Sequence, residues 1–335
     1  MALFRDHAPK QIIRNDWCLP IIKLLSDTNS TRLVYFGLPG IQALDIKTWI
    51  EYINYIIAID CGDYNKNYKF YDVEKAKAEI KKLEDVLLTY EREDKINGYS
   101  LYMGFIEEVV LRGIDKKGRP FSIEQNIHIF NLDFCNSITS PFKLADLEGN
   151  IRSYHKTEVI SHLLSTIKAL CYLGGDLKFV MFLTIHSSMH DEEIQEYFAA
   201  TKSAEFLKFL EFIKEMDNFE QNIFKLRFYL IDILSKLFTA SGFIPEFLPT
   251  ICYTGAGGDS NENNKLLCLT ILGTYEKTPS SIASFTQKTD ELTTSAFITT
   301  SGNFIVKKED KEIQENKLLP QELIARLDSY KKYWI

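Results

Sequence analysis

Apolar residues in this chain fall into short runs that alternate with longer amphipathic stretches. Five runs stand out, at residues 32–37, 55–60, 99–104, 127–134 and 179–185. Each is nearly free of polar alternation and is bounded by turn-forming or charged residues. That pattern predicts strands buried on both faces, as in a parallel sheet. Between them, apolar residues recur at three- and four-residue spacing. Residues 43–53 and 156–175 read as helices, the second closed by glycine. Residues 72–93 read as a helix with Asp72 as N-cap and Ala76, Ile80, Leu83, Leu87 and Tyr90 as its apolar stripe. A long helical stretch covers about residues 191–241, with a break near Met216–Asn218. Residues 250–255 and 266–275 are two further apolar runs joined by a polar, Asn-rich loop at 256–265, which predicts an antiparallel hairpin.

The ends extend this plan. Trp17, Leu19, Ile21, Ile22, Leu24 and Leu25 predict a helix packed on the sheet as a lid. Residues 113–121 read as a hairpin turn or loop. The tail holds a Thr/Ser-rich segment at 278–300, a strand at 303–308 and a last helix at 320–333. The expected organisation is an N-terminal helical segment (1–30), an α/β domain (31–277) and a C-terminal extension (278–335). The expected fold is α/β, with a Rossmann-like, seven-stranded, mostly parallel sheet, a terminal antiparallel β-hairpin and helices on both faces.

Composition narrows the class. The chain has 335 residues, 45% apolar and 25% charged, and a formal net charge of −7, which suits a globular protein without a general basic coat. Its six cysteines show no CxxC pairing, so neither a zinc ribbon nor a disulfide framework is expected. No apolar h-region follows Met1, and the longest clean apolar run is too short to span a bilayer. A cytoplasmic chain without membrane contact is expected. His186 and His190 lack a third ligand and an HExxH pattern, so no metal site is expected. Ser187 and Ser188 lack a nucleophile elbow. Lys116, Lys117, Arg119, Lys307 and Lys308 read as solvated loop charges.

Chemistry is expected where strands end, because ligands of open parallel sheets bind there. The first run stops at Gly37-Leu38-Pro39-Gly40, where glycine lets backbone approach a ligand and the next helix offers N–H groups. Asp60 ends the second run, 23 residues after Gly37. A carboxylate there can accept both hydroxyls of a ribose. Proline at position 39, where a dinucleotide fingerprint has glycine, argues against a pyrophosphate and thus against an oxidoreductase.

The order of five strand–helix units, a long helix, Gly242-Phe243 and two antiparallel strands resembles the class I S-adenosylmethionine-dependent methyltransferases over roughly residues 32–275. That resemblance implies that S-adenosylmethionine is the cofactor. Gly37, Pro39 and Gly40 would lie along its methionine portion, Asp60 on its ribose, and Gly104, Phe105 and Ile106 beside its adenine. Asn131 and Asp133 would handle the methyl acceptor. Locally, "FNLDFCNSITSP" (130–141) is similar to the "LDPFG" and "LDYEG" strand ends of three-Cys-motif partner proteins, methyltransferase-like proteins of bacterial mobile and defence regions. The chain has Leu-Asp-Phe-Cys where amino-methylating nucleic-acid enzymes carry two prolines, and Cys135 lacks the preceding proline of cytosine-C5 chemistry. The expected acceptor is a nucleic acid or a protein. The alternative is a catalytically degenerate scaffold or ligand-sensing subunit within a multi-protein complex.

Overall fold

A computed structural model describes residues 8–29, 31–62, 73–134, 137–145, 150–186, 192–254, 265–275, 293–294 and 297–299. The expectations for Met1, Cys135, Ser187, Ser188, His190, the Asn-rich loop, and the strand and helix of the C-terminal tail lie outside these residues. So does most of the Thr/Ser-rich segment.

The five apolar runs form β1 (Leu33–Gly37), β2 (Ile53–Asp60), β3 (Gly98–Met103), β4 (Ile129–Asp133) and β7 (Leu177–His186). They pair in parallel in the order β3-β2-β1-β4-β7. The strand order reverses between β1 and β4, the position at which open α/β sheets bind ligands at the carboxyl ends of their strands. Beyond β7 lies β10 (Lys265–Tyr275), antiparallel to it over its whole length. β8 (Phe243–Phe247) and β9 (Ile251–Thr254) both pair antiparallel with β10, one with each half. Together they occupy one strand position, interrupted at Leu248-Pro249-Thr250, where a proline cannot donate to the ladder. The expected seven positions are therefore present, and the split strand plus the two-residue β11 (Ile298–Thr299) bring the sheet to nine strands. The expected terminal hairpin is β9–β10. A separate hairpin, β5 (Phe142–Ala145) with β6 (Ile151–Tyr154), follows β4 and was not foreseen.

Strand alternation sends side chains to two cores. Val34, Phe36, Phe130 and Leu132 face one core, covered by α5 (Ile106–Arg112), α6 (Lys156–Gly174), α7 (Glu192–Ala200), α8 (Ala204–Ile213) and α9 (Asn218–Ala240). Leu33, Tyr35 and Ile129 face the other, covered by a π-helical turn (Ile13–Cys18) that continues α1 (Ala8–Ile12), and by α2 (Leu19–Asn29), α3 (Leu44–Trp49) and α4 (Val73–Arg92). The predicted stripe of α4 is fully buried at Ala76, Ile80, Leu83 and Leu87. The helix expected over 43–53 ends early: α3 stops at Trp49, a 3-10 turn follows, and Ile53 already belongs to β2. The long helical stretch is three helices, and Asp217 caps the last through Glu220 N–H at 2.8 Å. Among the described residues, no helix is long and apolar enough to cross a membrane.

In the turn after α5, Lys116, Lys117 and Arg119 are exposed, as expected of loop charges, but the turn is built around a buried acid. Asp115 is fully buried and accepts backbone N–H groups from Met103, Lys117 and Arg119. Arg119 also donates to its carboxylate and to the Leu101 carbonyl, and Lys116 pairs with Glu108 at 2.8 Å. The loop is thereby sewn onto the outer edge of β3 and blocks pairing there by another strand.

In β10, Gly273 sits opposite Phe179, and a β-carbon added there would come within 2.2 Å of the Phe179 ring. That ring is itself fixed among Phe130, Phe238 and Phe243. Gly273→Ala is expected to destabilise the fold by about 1–3 kcal/mol through overpacking, measured by chemical denaturation. An unchanged midpoint would contradict this packing.

Candidate functional site

The register of the parallel strands brings the strand ends into one row. Gly37 pairs with Ala58 on one side and Asn131 on the other, Asp60 pairs with Met103, and Asp133 pairs with Thr184. Gly37, Asp60, Gly104 and Asp133 therefore share the carboxyl edge. Asp60 and Asp133 lie on strands two positions apart, about 10 Å at ordinary strand spacing.

At the first turn, Gly37 and Gly40 have different reasons to be glycine. A β-carbon on Gly37 would come within 2.6 Å of both the Asn131 carbonyl and the Tyr35 hydroxyl, so close packing within the protein explains it. The neighbouring Leu38 N–H donates to that same carbonyl at 3.1 Å. Gly40 has φ +63° and open space where a β-carbon would point, so its backbone faces a free volume. Pro39 between them is buried. Ala43 continues the bend at φ 48° into α3, a helix of 6 residues. The first turn of α3 carries Asp45, so the carboxylate beside this helix start is the chain's own.

Asp60 is half-buried at the end of β2. Its Oδ1 accepts the Gly62 N–H at 2.7 Å, and Oδ2 accepts no hydrogen bond from a described residue. Burial, with Glu79 adding repulsion against the Gly62 hydrogen bond, raises its pKa to about 6. The ionised carboxylate is thus poorly compensated by the protein alone. Its main-chain carbonyl accepts the Gly104 N–H at 2.9 Å, which ties the ends of β2 and β3 together. Gly104 has φ +147°, and Phe105 then opens α5, with Ile106 buried in its first turn. The Phe105 ring packs on Phe142 of β5, centroids 4.8 Å apart, so the unforeseen hairpin forms a wall beside this end.

Asn131 and Asp133 follow Ile129 at two-residue steps and so face the core that the N-terminal segment covers. There the structure adds residues that the sequence did not single out. Arg14 donates to Asp45 at 2.5 Å, Asp45 accepts the Asn131 amide at 2.7 Å, and that amide also reaches the Tyr35 hydroxyl at 3.3 Å. Lys10 forms an ion pair with Asp133. Cations four residues apart on one helical segment could have signalled this, but nothing in a single sequence says which acids they meet. On the opposite face, buried Lys156 donates to the Ser137 and Ser140 carbonyls at 2.9 and 3.1 Å and lies 4.0 Å from Glu107. Burial raises the Glu107 pKa. Lys156 thus pins the chain leaving β4. Among the described residues, no group of three His, Cys, Asp or Glu could hold a metal.

No protein-family model and no curated protein matches the chain. Among solved structures, it is similar to a Pyrococcus horikoshii protein named as a putative transferase (TM-score 0.38, 11% identity, 82% of this chain and 66% of that one). It is also similar to Trm5b from Pyrococcus abyssi (0.37, 10%, 82% and 51%) and to a SAM-dependent methyltransferase from Agrobacterium tumefaciens (0.35, 12%, 81% and 63%). The chain thus spans between half and two thirds of the length of these three. The fold assignment rests on the strand order rather than on these likenesses.

A raised carboxylate pKa costs stability once the group ionises. With Asp60 at about 6 against an ordinary 3.8, that cost grows as pH rises from about 4 to 6 and is complete at neutral pH. His128 acts in the opposite direction. Its Nδ1 accepts the Val34 N–H at 3.1 Å, burial lowers its pKa to about 4, and its contribution is lost as pH falls from 6.5 to 4. Asp60→Asn is therefore expected to stabilise the free protein by about 1–3 kcal/mol at pH 7. It should also leave a stability profile that rises with pH between 4 and 6.5. Denaturation across pH measures both, and a destabilised variant would refute this view of Asp60.

Proposed function

We propose that the chain binds S-adenosylmethionine at the carboxyl edge of the sheet and transfers its methyl group to an acceptor held near Asp133. The observation that carries this reading is Asp60: a half-buried strand-end carboxylate with one backbone partner and an open Oδ2. A ribose diol would supply the missing donors, each hydrogen bond to a charged acceptor contributing about 1.5–3 kcal/mol. Gly40 offers backbone without side-chain obstruction, and Phe105 bounds the side of β3. The donor, when bound, supplies an electrophilic methyl on a sulfonium.

The chain's own residues would do the rest. Asp60 fixes the sugar and so the direction of the donor. Asn131 and Asp133 present an amide and a carboxylate to orient the acceptor, and the N-terminal segment with the β5–β6 hairpin would exclude water. The resemblance at 130–141 to three-Cys-motif partner proteins favours an acceptor, nucleic acid or protein, within a defence-related system. A base would have to be single-stranded or flipped to reach this edge. One observation favours the scaffold or sensor reading instead: Asn131 and Asp133 are already engaged by Asp45 and Lys10.

Calorimetry with S-adenosylmethionine, S-adenosylhomocysteine and NAD separates these readings. Binding of the first two but not of NAD, with at least a tenfold loss in Asp60→Asn, is the expected result. No binding of either, or binding indifferent to Asp60, would overturn the proposal. Binding without methyl transfer to DNA, RNA or protein would favour the sensor.

A further inference from the structure

The N-terminal helical segment is held unevenly along its length. Ile21, Ile22 and Leu25 of α2 are fully buried. Trp17 is 1% exposed, and its indole N–H donates to Thr270 of β10 at 2.7 Å. The π turn is held as well, because the Arg14 carbonyl accepts the Trp49 indole N–H at 3.2 Å. α1 differs: Pro9, Lys10 and Ile12 are only half-buried and Gln11 is exposed. What it does place on the sheet is the Lys10 ammonium, against a carboxylate 123 positions away. Both side chains remain a quarter exposed. A part-buried pair that is open to water on one side can exchange its cation, and the contacts of Trp17 and Arg14 that anchor the segment are made without it.

We propose that Asp133 is an ammonium-binding subsite, filled here by Lys10, and that the acceptor it serves is a primary amine on an alkyl stem that displaces Lys10. For transfer, the bound ammonium would pass one proton to the Asp133 carboxylate, and the freed nitrogen lone pair would then bond to the donor's methyl carbon as the carbon–sulfur bond breaks and its electron pair returns to sulfur. The role as acceptor subsite rests on the methyl-transfer reading above; the ammonium chemistry does not. An ionised carboxylate only accepts hydrogen bonds, so it repels phosphate and carboxylate groups and selects donors. Charge-assisted N–H bonds to it are about twice as strong as neutral ones, which favours an amine over a hydroxyl. Lys10 shows that a tetrahedral nitrogen on a flexible chain reaches this position. Arg14, four residues on, is bonded to Asp45 rather than Asp133, so the two carboxylates keep separate cations. Lys10 acts as a built-in competitor that keeps the carboxylate compensated until an amine arrives.

Chemical rescue tests this on the full chain. Lys10→Ala should melt about 1–3 °C lower than the unaltered protein. n-Butylammonium should restore the melting temperature saturably. Tetramethylammonium, which has no N–H, should not do so at equal ionic strength. The response should vanish in Lys10→Ala/Asp133→Asn. The unaltered chain should bind n-butylammonium about fivefold more weakly than Lys10→Ala, because Lys10 competes. Equal responses to the two cations, or a response that persists without the Asp133 carboxylate, would overturn the proposal. S-Adenosylmethionine binding is measured on the same proteins: if it is absent while rescue succeeds, the donor reading fails and the ammonium subsite stands.

Discussion

A sheet covered by helices on both faces leaves no room for charge along its central strands. Val34, Tyr35, Phe36, Ile57, Ala58, Ile59, Phe130 and Leu132 are all buried, so the first positions where β2 and β4 tolerate carboxylates are their ends. There the covering helices thin out and backbone N–H groups run out of ladder partners. The strand order then turns a constraint on each strand into a constraint on the site. Because β1 lies between β2 and β4, the acids that end those two strands flank one glycine-containing turn. The position of the chemistry follows from burial, before any question of which chemistry it is.

The two carboxylates meet this constraint differently. Asp133 is neutralised by a cation from a distant segment, whereas Asp60 receives one backbone N–H and carries a raised pKa. Asp115 shows what a purely structural acid looks like in the same protein. It is fully buried, takes three backbone N–H groups and an arginine, and its pKa is lowered. Set beside Asp115, Asp60 is under-compensated, and that incompleteness is what the proposed ribose contact rests on.

The parallel strands were legible because apolar runs without alternation have few other uses in a chain of this length. The same reasoning made β8 hard to see: Phe243, Pro245 and Phe247 alternate with Ile244 and Glu246, and two prolines in seven residues read as a loop. Only its pairing with β10 makes it a strand. α5 was hidden by its acids, since Glu107 and Glu108 at a helix start resemble a solvated loop yet are both buried here. The strand-end positions of Gly37, Asp60, Gly104 and Asp133 could be read from the order of elements alone. Their partners could not: Lys10 and Asp133 are brought together by the packing of Trp17 and α2, and no local pattern encodes that meeting.

Gly37 marks where a motif and its physical cause part company. A glycine ending the first strand is the expected signature of backbone approaching a ligand, yet here the space a side chain would need is taken by the Tyr35 hydroxyl and the Asn131 carbonyl. The Tyr35 hydroxyl is in turn within reach of the Asn131 amide, whose other partner is Asp45, itself bonded to Arg14. Glycine at 37 therefore lets β1 and β4 approach closely enough to build the polar network beneath the edge. In the proposed site its contribution would be indirect, through the positions of Asn131 and Asp133. Gly40, with its positive φ and unobstructed side, is the glycine of the two whose backbone a ligand could approach.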